Sequence, residues 1–345
     1  MAKSTDRAST IAWGVTLVWL TLTPAFALSP LPQESGWSGF VSLGFGGGSL
    51  ETNLIAGVKV IEVDLGVESV SDFGSPESDR FVVPAATVSA SYLFKNKKTL
   101  FSIGNDLADF LQFDRSTIVS LRHDTNRLGR FQLGIDSSAA IQTEVWEDPY
   151  LLGEKRKATA RDATGLRLTW DKVMGTQFEL RLITRSIEID DENSGASLDL
   201  TPGERGLLSR EGDTTRLELG YLFARSEGTH LIRPHFAVID RDLDGAAMAQ
   251  DGFEIGVSYV RNAPNFTWAS SVNFTSVEGD VENPIFGAIN DASGFGFATQ
   301  IFFKNVFGAS PWQPNTAIAF GKSDSDLDFY DSQGWMISVG VARRF

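Results

Sequence analysis

Trp335-Met336-Ile337-Ser338-Val339-Gly340-Val341-Ala342-Arg343-Arg344-Phe345 closes the chain, and its alternation decides the fold. Trp335, Ile337, Val339, Val341, Arg343 and Phe345 share one face, and Met336, Ser338, Gly340, Ala342 and Arg344 share the other. Side chains alternate across a β-strand, so this is an apolar face backed by a small or polar one. A soluble strand and a membrane-spanning strand both carry that pattern, and single transmembrane strands give weak signals. The segments upstream separate the two.

Moving back along the chain, the same alternation recurs in pairs joined by tight turns. Ala86 to Phe94 turns through Lys95-Asn96-Lys97-Lys98 into Thr99 to Ile103, and Thr117 to Leu121 turns through Asp124-Thr125-Asn126-Arg127 into Phe131 to Ile135. Thr164 to Trp170 pairs with Phe178 to Leu182, Leu217 to Phe223 with Ile232 to Val238, and Phe253 to Tyr259 with Phe266 to Phe274. Phe295 to Phe303 pairs with Thr316 to Phe320, and Gly39 to Phe45 gives a first strand. Between the pairs lie longer acidic connections, including Ser138 to Asp162, Ile189 to Asp213 and Lys322 to Gln333. Ser49 to Arg80 reads as one long connection that folds back on the barrel. Short turns at one end and long loops at the other predict a transmembrane antiparallel up-and-down β-barrel of about fourteen strands, or twelve if one weak hairpin is a loop. Tyr92, Phe94, Trp170, Tyr221, Phe223 and Tyr259 all precede tight turns, as an aromatic girdle would. Pro84, Pro234 and Pro314 fall inside proposed strands and belong near strand ends or bulges, because proline has no ladder donor.

The amino terminus is set apart. Lys3 and Arg7 precede the apolar run Ile11 to Leu22, then Pro24 and Ala25-Phe26-Ala27. That order predicts a signal peptide over 1–27, cleaved to leave a barrel over 28–345. The run is too short to span a bilayer as a helix, which takes about 20 apolar residues. Among 345 residues there is no cysteine, which excludes disulfides, thiolate metal sites and cysteine nucleophiles. A net charge of −14 lacks the basic footprint that nucleic acid requires.

Four loop segments carry a family resemblance. They are Trp146-Glu147-Asp148-Pro149-Tyr150, Ile189-Asp190-Asp191-Glu192-Asn193-Ser194-Gly195, Leu208-Ser209-Arg210-Glu211-Gly212-Asp213 and Asp324-Ser325-Asp326-Leu327-Asp328-Phe329-Tyr330-Asp331. With the closing strand, they resemble a family of Gram-negative outer-membrane proteins of unknown function. The resemblance implies an exported barrel in the cell outer membrane and no assigned activity. A terminal Phe345 likewise looks like the assembly signal of outer-membrane barrels. It implies the barrel-assembly machinery as a partner, with outer-membrane lipid and lipopolysaccharide as surroundings.

With the apolar faces turned to lipid, the other faces line the lumen. From the fourth to the ninth strand they carry Arg122, Arg130, Arg167, Arg181, Arg185, Arg216, Arg233, His235 and Arg241. Asp136, Asp171, Glu179, Glu218 and Glu254 are interspersed, while the remaining wall is small and neutral (Ser42, Gly44, Ala269, Ser271, Gly296, Ala317, Ser338, Gly340). Two readings stay open. Arginines focus field on anions, giving a porin-like path for small anionic or amphipathic solutes. Equally, each arginine can pair with a carboxylate and pack the lumen, leaving a structural or adhesive barrel that acts through acidic surface loops.

An enzyme is disfavoured. His123 and His230 sit beside short turns and His235 faces the lumen, so no outer loop holds a histidine base. The adjacent pairs Glu147/Asp148 and Asp190/Asp191 read as solvated loop charge. Asp324, Asp326 and Asp328 alternate as weak metal candidates, but Phe329 stands where a calcium loop needs glycine. No cofactor is expected.

Overall fold

The computed structural model describes residues 31–58, 63–105, 117–138, 143–306, 308 and 311–345, so the expected signal peptide lies outside the described residues. The strands are β1 Gly36–Glu51, β2 Ile55–Val58, β3 Val63–Asp64, β4 Ser78–Leu93, β5 Thr99–Asn105 and β6 Thr117–Asp124. They continue as β7 Arg130–Ser137, β8 Thr143–Trp146, β9 Ala158–Asp171, β10 Phe178–Ile189, β11 Gly212–Tyr221 and β12 Phe223–Arg225. The last are β13 His230–Leu243, β14 Gln250–Asn262, β15 Phe266–Gly279, β16 Ala292–Phe303, β17 Trp312–Ser325 and β18 Ser332–Arg344. Counting β11 and β12 as one strand and leaving out β2, β3 and β8, fourteen antiparallel strands form a closed barrel.

β18 pairs with β17 on one side and β1 on the other. At the seam Gly39 N–H donates to the Phe345 carbonyl at 2.8 Å and Phe345 N–H to the Gly39 carbonyl at 3.1 Å. Closure matters because hydrocarbon offers a sheet edge no water to bond, so a spanning sheet must have none. Parity then sorts the side chains. Leu133 (57 % exposed), Ile255 (48 %) and Val339 (61 %) point out, whereas Asp136 (0 %), Glu218 (0 %) and Arg233 (1 %) point in. A barrel that is apolar outside and charged inside is the membrane-spanning kind, of outer-membrane type. Rings meet around the short-turn end as predicted. Tyr92 packs on Phe94 and Trp37, Phe131 stacks on Trp170 with centroids 5.3 Å apart, and Tyr221 contacts Phe178 and Phe223.

The wall between β4 and β9 is built in two tiers. Below, β5, β6 and β7 are short, and the β4–β5 ladder covers only Ser89 to Leu93. Above, β8 pairs with the upper end of β9, β2 with β8 and β3 with β2. The connection predicted as Ser49 to Arg80 is therefore shorter, 52–77, because β1 and β4 run on to Glu51 and back to Ser78, and it supplies two strands of the upper tier. The three prolines lie inside strands, each with a ladder missing or interrupted on one side. Pro84 lies above the β4–β5 ladder, and Pro314 precedes the β16–β17 ladder. Pro234 falls in the interruption between Gly220↔His235 and Phe223↔Ile232 that separates β11 from β12. Each missing N–H is placed where no acceptor waits for it.

Candidate functional site: a charged lumen beneath a packed cap

The short-turn half of the lumen is packed. Val260, Ala269, Ala298 and Ala319 form a buried cluster with Leu222 and Leu231 against it, and Phe302 meets Phe40 edge-on at 6.0 Å. Leu93 is fully buried and Leu100 nearly so.

Beside this plug, starting from the short turns, a ladder of charge crosses one wall. Arg130 pairs with Asp171 at its foot. Arg181 Nη2 donates to Glu179 Oε1 at 3.1 Å, and Arg233 Nη2 donates to the same oxygen at 2.7 Å while also bonding Glu218. Arg216 bridges Glu218 Oε2 at 2.6 Å and Glu254 Oε1 at 2.8 Å. His235 Nε2 lies 2.9 Å from Glu254 Oε1, and Asn273 donates to Glu254 Oε2 at 3.2 Å. A second group sits beside it, where Arg185 contacts Asp136 Oδ2 at 2.5 Å and Arg167 approaches the same oxygen at 3.8 Å. Arg241 donates to the neutral Gln250 at 2.8 Å, and Arg122 is buried in the lumen wall. Strand parity thus places the whole predicted basic set and the predicted carboxylates on the inner face.

Both open readings have a place in this arrangement. Along β10 to β14 arginine and carboxylate alternate, so each buried charge has an opposite one beside it, offsetting its desolvation. Across the lumen, beside the packed cluster that holds Ala319, the residues Ala317, Ser338 and Gly340 contribute little volume. Glu218, His235 and Glu254 are, among the described residues, the one group that brings three possible metal-ligating atoms within 4.8 Å of one another. Arg216 and Arg233 already neutralise its carboxylates, which makes it a poor cation site. The other metal candidates are placed apart. Asp324 pairs with Lys322 at 2.6 Å, and β17 ends at Ser325, so Asp328 falls in a 3₁₀ turn, off the strand that carries Asp324. His123 bonds Thr99 and His230 bonds Tyr259, both beside short turns as predicted.

The long loops differ from their predicted solvated state. Tyr150, Leu208 and Phe329 are fully buried and gather Leu54, Phe73, Leu198, Leu200, Ile285, Phe286 and Tyr330 into a second apolar core over the mouth. Tyr150 and Phe329 stack with centroids 5.2 Å apart, and the Tyr150 and Tyr330 hydroxyls are 2.5 Å apart, with Asn283 donating to Tyr330 at 2.7 Å. Burial pushes the Tyr150 phenol well above its ordinary value and the Tyr330 phenol up to about 12.

Polar groups tie the cap together. Arg156 donates to the carbonyls of Asn53 (2.9 Å), Pro149 (3.1 Å) and Val67, with its guanidinium 4.6 Å over the Trp146 ring. Arg210 holds Glu192 at 2.7 Å and the Trp146 carbonyl at 2.8 Å. Asp148 accepts from the backbone of Gly195 (3.0 Å) and Ser197 (2.8 Å), so it is a structural anchor rather than loose charge. The four segments that carry the family resemblance meet here.

Sequence reasoning missed one inward residue of the lumen. The alternation that starts at Thr164 leaves Arg161 in the preceding loop, whereas β8 gives β9 a partner as far as Ala158. The parity running Arg161, Ala163, Gly165, Arg167 was the available signal.

No protein of curated function matches the sequence. Among solved structures, a Pseudomonas aeruginosa FadL homologue is similar at 10% identity over 89% of this chain and 90% of that one, with a TM-score of 0.44. The TodX monoaromatic hydrocarbon channel, as its ΔS2 mutant, gives 12%, 90% and 90%, and 0.45. The outer-membrane channel DcaP of Acinetobacter baumannii gives 9%, 90% and 98%, and 0.39. Agreement this distant names no solute. A family model described as a protein of unknown function (DUF2860) matches residues 36–343, nearly the whole described barrel and cap, and the chain belongs to that family.

Proposed function

We propose that the protein is an outer-membrane channel for small anionic or amphipathic solutes, with its loops outward and its lumen held shut at the short-turn end. The observation that carries the reading is the asymmetry of the lumen, an arginine-rich ladder facing a wall of alanine, serine and glycine. Rings of arginine favour anions, and small side chains leave the volume a solute needs. The same asymmetry speaks against an enzyme, since the titratable groups of the ladder are held by one another rather than poised at an open cleft. Phe345 and its strand would be the part offered to the barrel-assembly machinery.

The test is single-channel current of refolded protein in a planar bilayer under a salt gradient. Steps with a reversal potential on the anion side are expected. Neutralising Arg181 and Arg185, two arginines of the lumen wall, should weaken that selectivity. Silence from folded protein would favour the second reading, a permanently plugged barrel that works through its cap, which the packed short-turn half also supports.

A further inference from the structure

The outer face of the barrel carries a groove of about 610 Å³ near its long-loop rim, where β1 lies between β4 and β18. Strand register divides it into three levels. Nearest the middle of the wall, Gly47 stands between Val82 and Ile337, so a position without a side chain is flanked by two exposed apolar ones. One level toward the loops, Ser49 stands between Arg80 and Trp335. At the rim itself Glu51 stands between Ser78 and Gln333. All of these side chains and Gly47 line the one groove. Farther round, the outward side chains near the rim are carboxylates that face one another across strands, Asp213 against Asp242 and Asp240 against Asp251. Arg80 breaks that pattern with an exposed cation. Among the described residues, none makes a hydrogen bond or ion pair with its side chain.

The groove is continuous with the lipid-facing belt, because below Gly47 the same strands present the exposed Phe45 and Val339. An acyl chain can pass from the belt into the slot over Gly47 without meeting water. Arg80 comes one level farther out, where the apolar wall ends and a headgroup phosphate would lie, and its planar fork suits a phosphate. Beyond it a carboxylate, a hydroxyl and an amide offer partners for sugar hydroxyls. We propose that this groove binds one lipopolysaccharide molecule of the outer leaflet, with an acyl chain in the Gly47 slot and a phosphate of its glycolipid base on Arg80. The long loops of such barrels face outward, which puts the groove in that leaflet. The site rests on this orientation and not on conduction. A second groove on the same face, over Phe274 and Phe295, is topped by Lys322, but Asp324 already holds that ammonium at 2.6 Å. It therefore serves as the comparison.

The experiment is native mass spectrometry of the detergent-refolded protein titrated with lipid A carrying two phosphates and, separately, with phosphatidylglycerol. One tightly held lipid A per barrel is expected. Arg80→Gln should weaken it about tenfold or more, the worth of a charge-assisted hydrogen bond. Gly47→Leu, which fills the slot, should weaken it by a similar factor, and Lys322→Gln should leave it within a few-fold. Lipid A stripped of its phosphates should bind as weakly to the wild type as to Arg80→Gln, because the phosphate and the guanidinium are one contact. A Cβ at Gly47 comes 3.3 Å from the Phe81 carbonyl oxygen, which a small shift relieves, and heat-modified gel mobility verifies that each variant is folded. Folded protein that holds no lipid A, lipid A that survives Arg80→Gln and Gly47→Leu unchanged, or phosphatidylglycerol held as tightly as lipid A overturns the site. Its fate is separable from that of the channel. Anion-selective current without lipid A binding sinks the site alone, whereas lipid A binding without current leaves the site standing and sinks the channel.

Discussion

The barrel wall and the cap are made by one chain under opposite rules. In the wall the apolar side chains point away from the axis and the charges inward, so Leu133 is exposed while Glu218 is buried. In the cap the order reverts to that of a water-soluble protein, with Tyr150, Leu208 and Phe329 inside and Lys155 and Lys157 outside. The surrounding solvent explains the difference. Hydrocarbon takes the apolar side chains of the wall and leaves polarity for the lumen, while water drives the cap's rings together. The two regions should therefore fail separately, and each through a different kind of contact.

The wall should fail most heavily through charge. Arg233 is 1 % exposed and bonds both Glu179 and Glu218. Arg233→Met leaves two buried carboxylates facing each other without it, a loss of about 3 to 5 kcal/mol for a broken buried pair. Urea unfolding in lipid vesicles, followed by gel mobility, should show the barrel midpoint falling while trypsin still spares the cap. An unchanged midpoint would mean that the ladder contributes little to the wall.

The cap should fail through packing. Phe329 touches its neighbour Tyr330 and three rings brought from other loops, Tyr150, Phe73 and Phe286. Phe329→Ala should cost about 3 to 4 kcal/mol, as large-to-small changes at buried rings do. The readout is trypsin cleavage at Lys155 and Lys157, which should accelerate while the barrel keeps its heat-modified mobility. Concerted loss of both would merge wall and cap into a single cooperative unit and end the comparison.

The wall was legible in the sequence and the cap was not, for a physical reason. A strand's period is two, so the alternation from Trp335 to Phe345 already states which side chains meet lipid, and the same parity set Arg181, Arg216 and Arg233 in the lumen. Where an extra partner lengthened a strand, as β8 does for β9, the reading stopped short and lost Arg161. The cap has no period. Tyr150 and Tyr330 lie 180 residues apart in sequence, and nothing local to Trp146-Glu147-Asp148-Pro149-Tyr150 says that its ring will stack on Phe329. Its aspartates looked like solvent-facing charge because acidic loops usually are. Only the backbone donors of Gly195 and Ser197, supplied by another loop, make Asp148 an anchor.

The smallest of the expected effects separates the two regions by pH alone. Tyr330 has its phenol raised to about 12 by burial in the cap, against an ordinary value near 10. Between those values a loosened cap gives up a proton that the packed cap retains. The open state then binds fewer protons, and stability falls as pH rises. The contribution is fully present below pH about 10 and lost through about 12, roughly 2 to 3 kcal/mol for a gap of this size. Tyrosinate absorbance should therefore appear together with cap opening, while the barrel, whose rim tyrosines are not part of the cap core, keeps its gel mobility. Arg156, pushed down to about 10 by burial, loses its proton first in the packed cap and so acts in the opposite sense, while the raised Tyr150 phenol acts in the same sense, so Tyr330→Phe is the control. That variant should flatten the alkaline slope by the share of Tyr330 and leave those of Tyr150 and Arg156 behind. A slope unaltered by Tyr330→Phe would place the alkaline sensitivity in Tyr150, the other phenol that burial raises in the same core.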